Sequence, residues 1–197
     1  MPSKGRAQRG KRRAGPARGA PRRRAAARRP VEGQVRIIFL DLDGTLTDGV
    51  ITFDVQGDQR NFSIRDGLAL QWARDLGVLP VVISGRTSKA AELRMADLGL
   101  EHYLGARDKV AVAEEVLRRE GVRWEECVMV GDDLPDVPML KRVGWAVAVP
   151  DAVAEVKAVA RTVTAASAGH GAVREVVERV LRHNGLWRRV LERYEVS

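Results

Sequence analysis

Two aspartates two positions apart, Asp41 and Asp43, close an apolar run that begins at Val35 and continues through Ile37, Ile38, Phe39 and Leu40. An uninterrupted run of this kind reads as a strand buried on both faces, the sort that a parallel sheet makes. Residues two apart on extended chain point to the same side, so both carboxylates face one place. Two like charges held so close need a cation beside them or a shared proton. Gly44-Thr45 then turns the chain away. The chemistry implied is a metal together with an anionic ligand, at the strand ends where open α/β sheets bind their ligands.

Three more polar groups stand at comparable places. Ser84-Gly85-Arg86 follows the apolar residues 80–83, Asp108-Lys109 opens a helical pattern, and Gly131-Asp132-Asp133 follows the apolar residues 127–130. The set offers carboxylates to a hard cation and a hydroxyl, an ammonium and backbone N–H groups to an anion. All-oxygen donors of this type suit magnesium, which is commonly bound together with substrate phosphate oxygens.

The elements that must position these groups are short strands alternating with helices. Strands are expected over 36–40, 80–83, 127–130 and 145–149, and helices over 68–76, 88–98, 109–119 and 152–160. Gly77, Gly99 and Gly121 follow the first three helices as stop signals. A last helix carries Val173, Val176, Val177, Val180 and Leu181 as one apolar stripe. This order predicts an α/β fold, a doubly wound, Rossmann-like parallel sheet with helices on both faces. One segment breaks the alternation. Ile51, Phe53 and Val55 alternate with polar residues, Gly57-Asp58 reads as a turn, and 61–64 as a second run, so a β-hairpin is inserted after the first site strand. The hairpin's apolar face has to cover something, and a second subunit is one candidate. No internal repeat is evident.

Charge divides the chain. Residues 1–30 carry twelve of the 34 Lys and Arg and no Asp or Glu, leaving a mildly acidic remainder. That segment has almost no apolar surface to bury, so it is expected to be a disordered basic tail ahead of one domain over 31–197. A nucleic-acid arm, a transit peptide and a dispensable extension all stay open for it, although prolines and glycines break any amphipathic helix and no aromatic interleaves the arginines. The single cysteine, Cys127, lies in an apolar run, which excludes an internal disulfide framework and fits a core residue in a reducing cytoplasm. No stretch is long and apolar enough to span a membrane or to act as a secretion signal.

Asp41-Leu42-Asp43-Gly44-Thr45, Ser84, Lys109 and Gly131-Asp132-Asp133 resemble, in order and spacing, the four motifs of the haloacid dehalogenase-like superfamily. The resemblance implies an aspartyl-phosphate mechanism. Asp41 is then the nucleophile and Asp43 the acid/base, Mg2+ is held by Asp41, the Asp43 carbonyl and Asp132, and Ser84 and Lys109 bind the phosphoryl oxygens. Asp133 is expected to orient Lys109 or a metal-bound water. The 41 positions from Asp43 to Ser84 and the 25 from there to Lys109 leave no room for a cap domain.

A closer resemblance joins Thr47-Asp48-Gly49, Phe62, Arg65-Asp66-Gly67, Arg86, Arg94, Asp132-Asp133-Leu134 with Asp136, and 171–176 to the capless 3-deoxy-D-manno-octulosonate 8-phosphate phosphatases. It implies a cytoplasmic homotetramer with shared sites, serving lipopolysaccharide synthesis. Substrate contacts would come from Asp43, Ser63, Ile64, Arg65, Asp66, Gly67, Arg86, Arg94, Lys109 and Asp136, and a neighbour's segment 169–174 would help close the site. Two residues depart from the family pattern: Gln71 stands where an arginine is common, and His170 precedes the last helix. They keep a nine-carbon keto-deoxy sugar 9-phosphate open as the substrate. A non-catalytic binding homologue is the reading of a different class.

Overall fold

The computed structural model describes residues 33–55 and 57–196. The basic tail therefore lies outside the described residues. Six parallel strands form one sheet: β1 (Ile37–Leu40), β4 (Leu79–Ser84), β5 (Glu101–Leu104), β6 (Cys127–Gly131), β7 (Trp145–Ala148) and β8 (Thr162–Val163), in the spatial order β5-β4-β1-β6-β7-β8. Every residue of β1 and of β6 is buried, as their unbroken apolar runs require of central strands.

The register sets the site. Leu40 is level with Val82 of β4 on one side and Val130 of β6 on the other. Asp41, Ser84 and Asp132 therefore all emerge at the carboxyl edge within a residue or two of one another. From β1 the chain proceeds toward β4 and β5, whereas from β6 it proceeds toward β7 and β8. The crevice between β1 and β6 is thus the switch point where doubly wound sheets bind ligands.

Seven helices are described: α1 (Ile64–Asp75), α2 (Lys89–Leu98), α3 (Lys109–Glu120), α4 (Val137–Leu140), α5 (Ala154–Val159), α6 (Ala172–His183) and α7 (Trp187–Arg193). They flank the sheet, and among the described residues no cap domain interrupts it. Helices α2 and α3 end in left-handed glycines, Gly99 at φ 62° and Gly121 at φ 60°, the backbone that a side chain disfavours and a glycine stop supplies. The stripe on α6 is buried along its whole length. Among the described residues no helix is long and apolar enough to cross a membrane.

Two expectations are corrected. The hairpin is tighter than its alternation suggested: β2 (Thr52–Asp54) pairs with β3 (Gly57–Gln59), so Gly57-Asp58 belong to the second strand rather than to a turn. The Asp54 carboxylate accepts from Gly57 N at 3.1 Å and closes the reversal early. Residues 61–64 form no strand, because the Ser63 hydroxyl accepts from Asp66 N at 3.3 Å and starts α1 at Ile64, four residues before the expected helix. The two-residue strand β8 was not expected at all. The expected last helix, α6, is followed by a further short one, α7, which was not expected either. The break falls where the Asn184 side chain is committed to Val35, accepting from its N at 2.9 Å and donating to its O at 2.7 Å.

Candidate active site

Asp41 leaves β1 with its backbone N–H bonded to Val130 O at 3.0 Å, which fixes it beside β6. Lys109 is the first residue of α3, a helix started by Asp108, whose carboxylate accepts from Val110 N and Ala111 N. From there the Lys109 ammonium donates to Asp41 Oδ1 and, at 2.7 Å, to Asp136 Oδ1. All three side chains are buried.

Asp136 is held in turn by Asp132 N and Asp133 N, which donate to its Oδ2 at 3.1 and 3.4 Å. Of the two roles expected for Asp133, which also lines the cleft described below, the orienting of Lys109 falls to another residue. The residue that orients Lys109 is Asp136, which stands behind the lysine, while the Asp133 carboxylate accepts from Leu134 N at 2.7 Å and caps the short turn after β6. Among the described residues the Asp132 carboxylate accepts one bond, a long one of 3.4 Å, from the Thr45 hydroxyl.

Between β1 and Thr47 the chain turns through Gly44 at φ 87°. A β-carbon there would lie 2.2 Å from Asp132 Oδ2, so the turn needs glycine for space as well as for its backbone angle. A cleft of about 290 Å³ opens over this floor, lined among others by Asp41, Asp43, Ser84, Arg86, Lys109 and Asp132. The Ser84 hydroxyl accepts from Arg86 N at 3.2 Å, which closes the turn after β4.

The electrostatics are those of a site short of positive charge. Burial, reinforced by the charge of Asp136, pushes Asp41 up to about 7 despite Lys109. Burial and the charges of Asp136 and Asp133 push Asp132 up to about 6. For Lys109, burial works to lower the pKa, and the charges of Asp41 and Asp136 outweigh it and raise it. Carboxylate oxygens of Asp41, Asp132 and Asp136 lie within 4.8 Å of one another. This all-oxygen donor set, two of its members buried and two disfavoured as anions, fits a hard divalent cation.

Other expected residues are placed as follows. Asp43 lies in the cleft and forms an ion pair with Arg60. Asp66 does not face the cleft. It is buried under α6, accepting from Arg174 N at 2.7 Å and Gly171 N at 3.2 Å, so its carboxylate caps that helix. Ser63 caps α1, while Ile64 and Arg65 are exposed beside the hairpin. The Arg94 guanidinium lies over Gly67, where a β-carbon would come within 2.5 Å of it, and it pairs with Asp97 at 2.7 Å. Neither Arg94 nor Gly67 lines the cleft. Segment 169–174 packs on its own chain, through Gly169 N to Thr45 O at 3.2 Å and through the Arg174 guanidinium 4.0 Å above the Trp72 ring. His170 lines a second cleft of about 430 Å³ on the far side of Gly44 and Asp132. Arg60 was missed altogether: it belonged to no motif, and a hairpin that had to cover something was the only cue to it.

Residues 105–176 match the model of the haloacid dehalogenase-like hydrolase family. The chain is 37% identical over 153 residues to the 3-deoxy-D-manno-octulosonate 8-phosphate phosphatase of Escherichia coli K12, covering 77% of this chain and 81% of that protein. Its fold matches the crystal structure of the phosphatase of that name from Moraxella catarrhalis, solved in complex with magnesium, phosphate and KDO. The TM-score is 0.78 at 30% identity, over 81% of this chain and 93% of the other. The cobalt-bound enzyme from Haemophilus influenzae matches with TM-score 0.75 and 33% identity, over 78% and 91% of the two chains.

Proposed function

Because the chain belongs to the 3-deoxy-D-manno-octulosonate 8-phosphate phosphatase family of haloacid dehalogenase-like hydrolases, we propose that it removes phosphate from that eight-carbon sugar acid. The observation that carries the reading is the buried arrangement of Asp41, Lys109 and Asp136 beside Asp132 at the sheet's switch point.

An Asp41 oxygen attacks phosphorus and the bond to the sugar oxygen breaks. Asp43 gives that oxygen its proton. Asp43 then takes a proton from water, which attacks the aspartyl-phosphate, releases inorganic phosphate and regenerates Asp41. Lys109 and Ser84 stabilise the charge on the phosphoryl oxygens. Asp41 and Asp132, with the main-chain carbonyl of Asp43, would hold Mg2+, which would offset the repulsion between the Asp41 carboxylate and the phosphoryl group. Arg86, at the mouth of the cleft, suits the sugar carboxylate.

The hairpin supports a homotetrameric assembly with shared sites, in which Val50, Phe53, Val55 and Ile64, all exposed in the single chain, are covered. The reading places the enzyme in the cytoplasm, in the route to lipopolysaccharide. It is tested by phosphate release with Mg2+ across a panel of sugar phosphates that includes eight- and nine-carbon keto-deoxy acids. The eight-carbon ester is expected to be turned over best and Asp41→Asn to abolish turnover. Activity retained by Asp41→Asn would exclude the aspartyl-phosphate route.

A further inference from the structure

Arg60 follows β3 directly, and its side chain is only 2% exposed. Its Nε donates to Asp43 Oδ1 at 2.6 Å and Nη2 reaches Oδ2 at 3.4 Å, a two-pronged hold on the carboxylate. Its third nitrogen, Nη1, pairs with Asp58 of β3 and donates to the Ser88 hydroxyl at 2.6 Å. Ser88 also donates to Asp58 at 2.7 Å and caps α2 by accepting from Ala91 N.

The geometry points to Arg60 as a positioning residue that the hairpin contributes to the reaction: its guanidinium fixes the orientation of the Asp43 carboxylate in the cleft. The inference rests on the phosphatase reading, in which Asp43 moves the proton. A guanidinium keeps its proton throughout the ordinary pH range, so Arg60 neither gives nor takes one and acts only through Asp43. Asp43 sits on a turn, where its side chain needs two contact points to be held in one orientation, and a planar fork supplies both. The opposite edge of the guanidinium is braced by two different elements, β3 and the start of α2. A displaced hairpin therefore carries the acid/base with it, and hairpin packing and catalysis become one property.

The test is a double-mutant comparison with p-nitrophenyl phosphate and the best sugar phosphate, measuring kcat and KM for wild type, Arg60→Met and Arg60→Lys, each with Asp43 intact and with Asp43→Asn. Arg60→Met is expected to lower kcat about 10- to 100-fold, part of what a general acid/base supplies. KM is expected to move less than about threefold. Arg60→Lys, which keeps the charge and loses the fork, should fall between. Neither change should cost anything further once Asp43 is Asn. An equal loss on both backgrounds, or an unchanged kcat with a lowered melting temperature, would make Arg60 a mere staple of the hairpin and overturn the inference. Should Arg60→Met fail to fold because Asp43 and Asp58 are left facing each other, Arg60→Lys carries the comparison. The Arg60 Nε–H resonance gives a readout free of activity: it is expected to be slow to exchange and to move on Asp43→Asn. Loss of the hydrolase reading, shown by a wild type inactive on every ester, is thereby distinguished from loss of the Arg60–Asp43 contact, shown by an unmoved resonance.

Discussion

Gly44 and Asp132 are separated by 88 positions, yet a β-carbon on the first would sit 2.2 Å from a carboxylate oxygen of the second. The turn that follows the nucleophile and the carboxylate after β6 are therefore fitted to each other. Gly44→Ala should push Asp132 aside and also strain a backbone at φ 87°, a cost of about 1 kcal/mol or more. Calorimetric titration with Mg2+ should show at least a tenfold weaker affinity, while a Gly77→Ala control, equally strained at φ 83° but with open space around it, keeps wild-type affinity.

The paired roles of Asp136 and Asp133 separate by mutation. Asp136→Asn removes one of the two carboxylates that hold Lys109 and should lower kcat by about 100-fold, the scale on which misplaced charge stabilisation is felt. Asp133→Ala loses a cap on a short exposed turn and should cost about 1 kcal/mol of stability with little change in kcat. Steady-state kinetics beside thermal melts checks both. Equal kinetic effects would return Asp133 to the role first expected of it.

Without metal, the fold should lose stability on going from pH 5 to pH 8 through Asp41 and Asp132. Both carboxyls have pKa values raised from the ordinary 3.8, to about 7 and about 6, so the folded state holds protons that the unfolded chain releases. Their contribution is complete below about pH 3.8 and is lost as pH rises through the two raised values. Lys109, raised above 10.5, contributes a constant amount across this window. In chelator, the melting temperature of wild type relative to Asp132→Asn should fall between pH 5 and pH 8, and Mg2+ should reverse the trend. A difference that stays flat would contradict it.

Asp66 should prove to be a structural residue. Asp66→Ala leaves two N–H groups at the start of α6 without acceptors and should cost about 1–3 kcal/mol. KM for the substrate should stay within about twofold, since no binding interaction is lost. Chemical denaturation and kinetics on the same samples decide; a large rise in KM with unchanged stability would restore Asp66 to the substrate.

These outcomes mark what could be read from the chain and what could not. Asp41, Ser84 and Asp132 were legible because each terminates or follows an apolar run that can only be an interior parallel strand, and Lys109 because a capping aspartate precedes it. Arg60 acts through side-chain pairing across 17 positions, which leaves no periodicity to detect, and Asp136, expected at the substrate, pairs instead with Lys109 across 27. Strands β2 and β3 hold three residues each and β8 two, too few for alternation to set a register. Asp66 was expected at the substrate because its motif position reads as a ligand contact, whereas in the fold its oxygens meet backbone donors on a helix 105 positions away.

The tie between Asn184 and Val35 fixes where the described chain enters the fold. Val35 precedes β1, so it stands at the amino edge of the sheet, and the cleft opens at the carboxyl edge. A purification handle, a fluorophore or a surface linker put in place of the 32 residues ahead of Gly33 would be rooted at the pole opposite the substrate's entrance. A molecule immobilised through such a replacement would present its cleft outward, which makes Gly33 the rational junction for single-molecule or biosensor work.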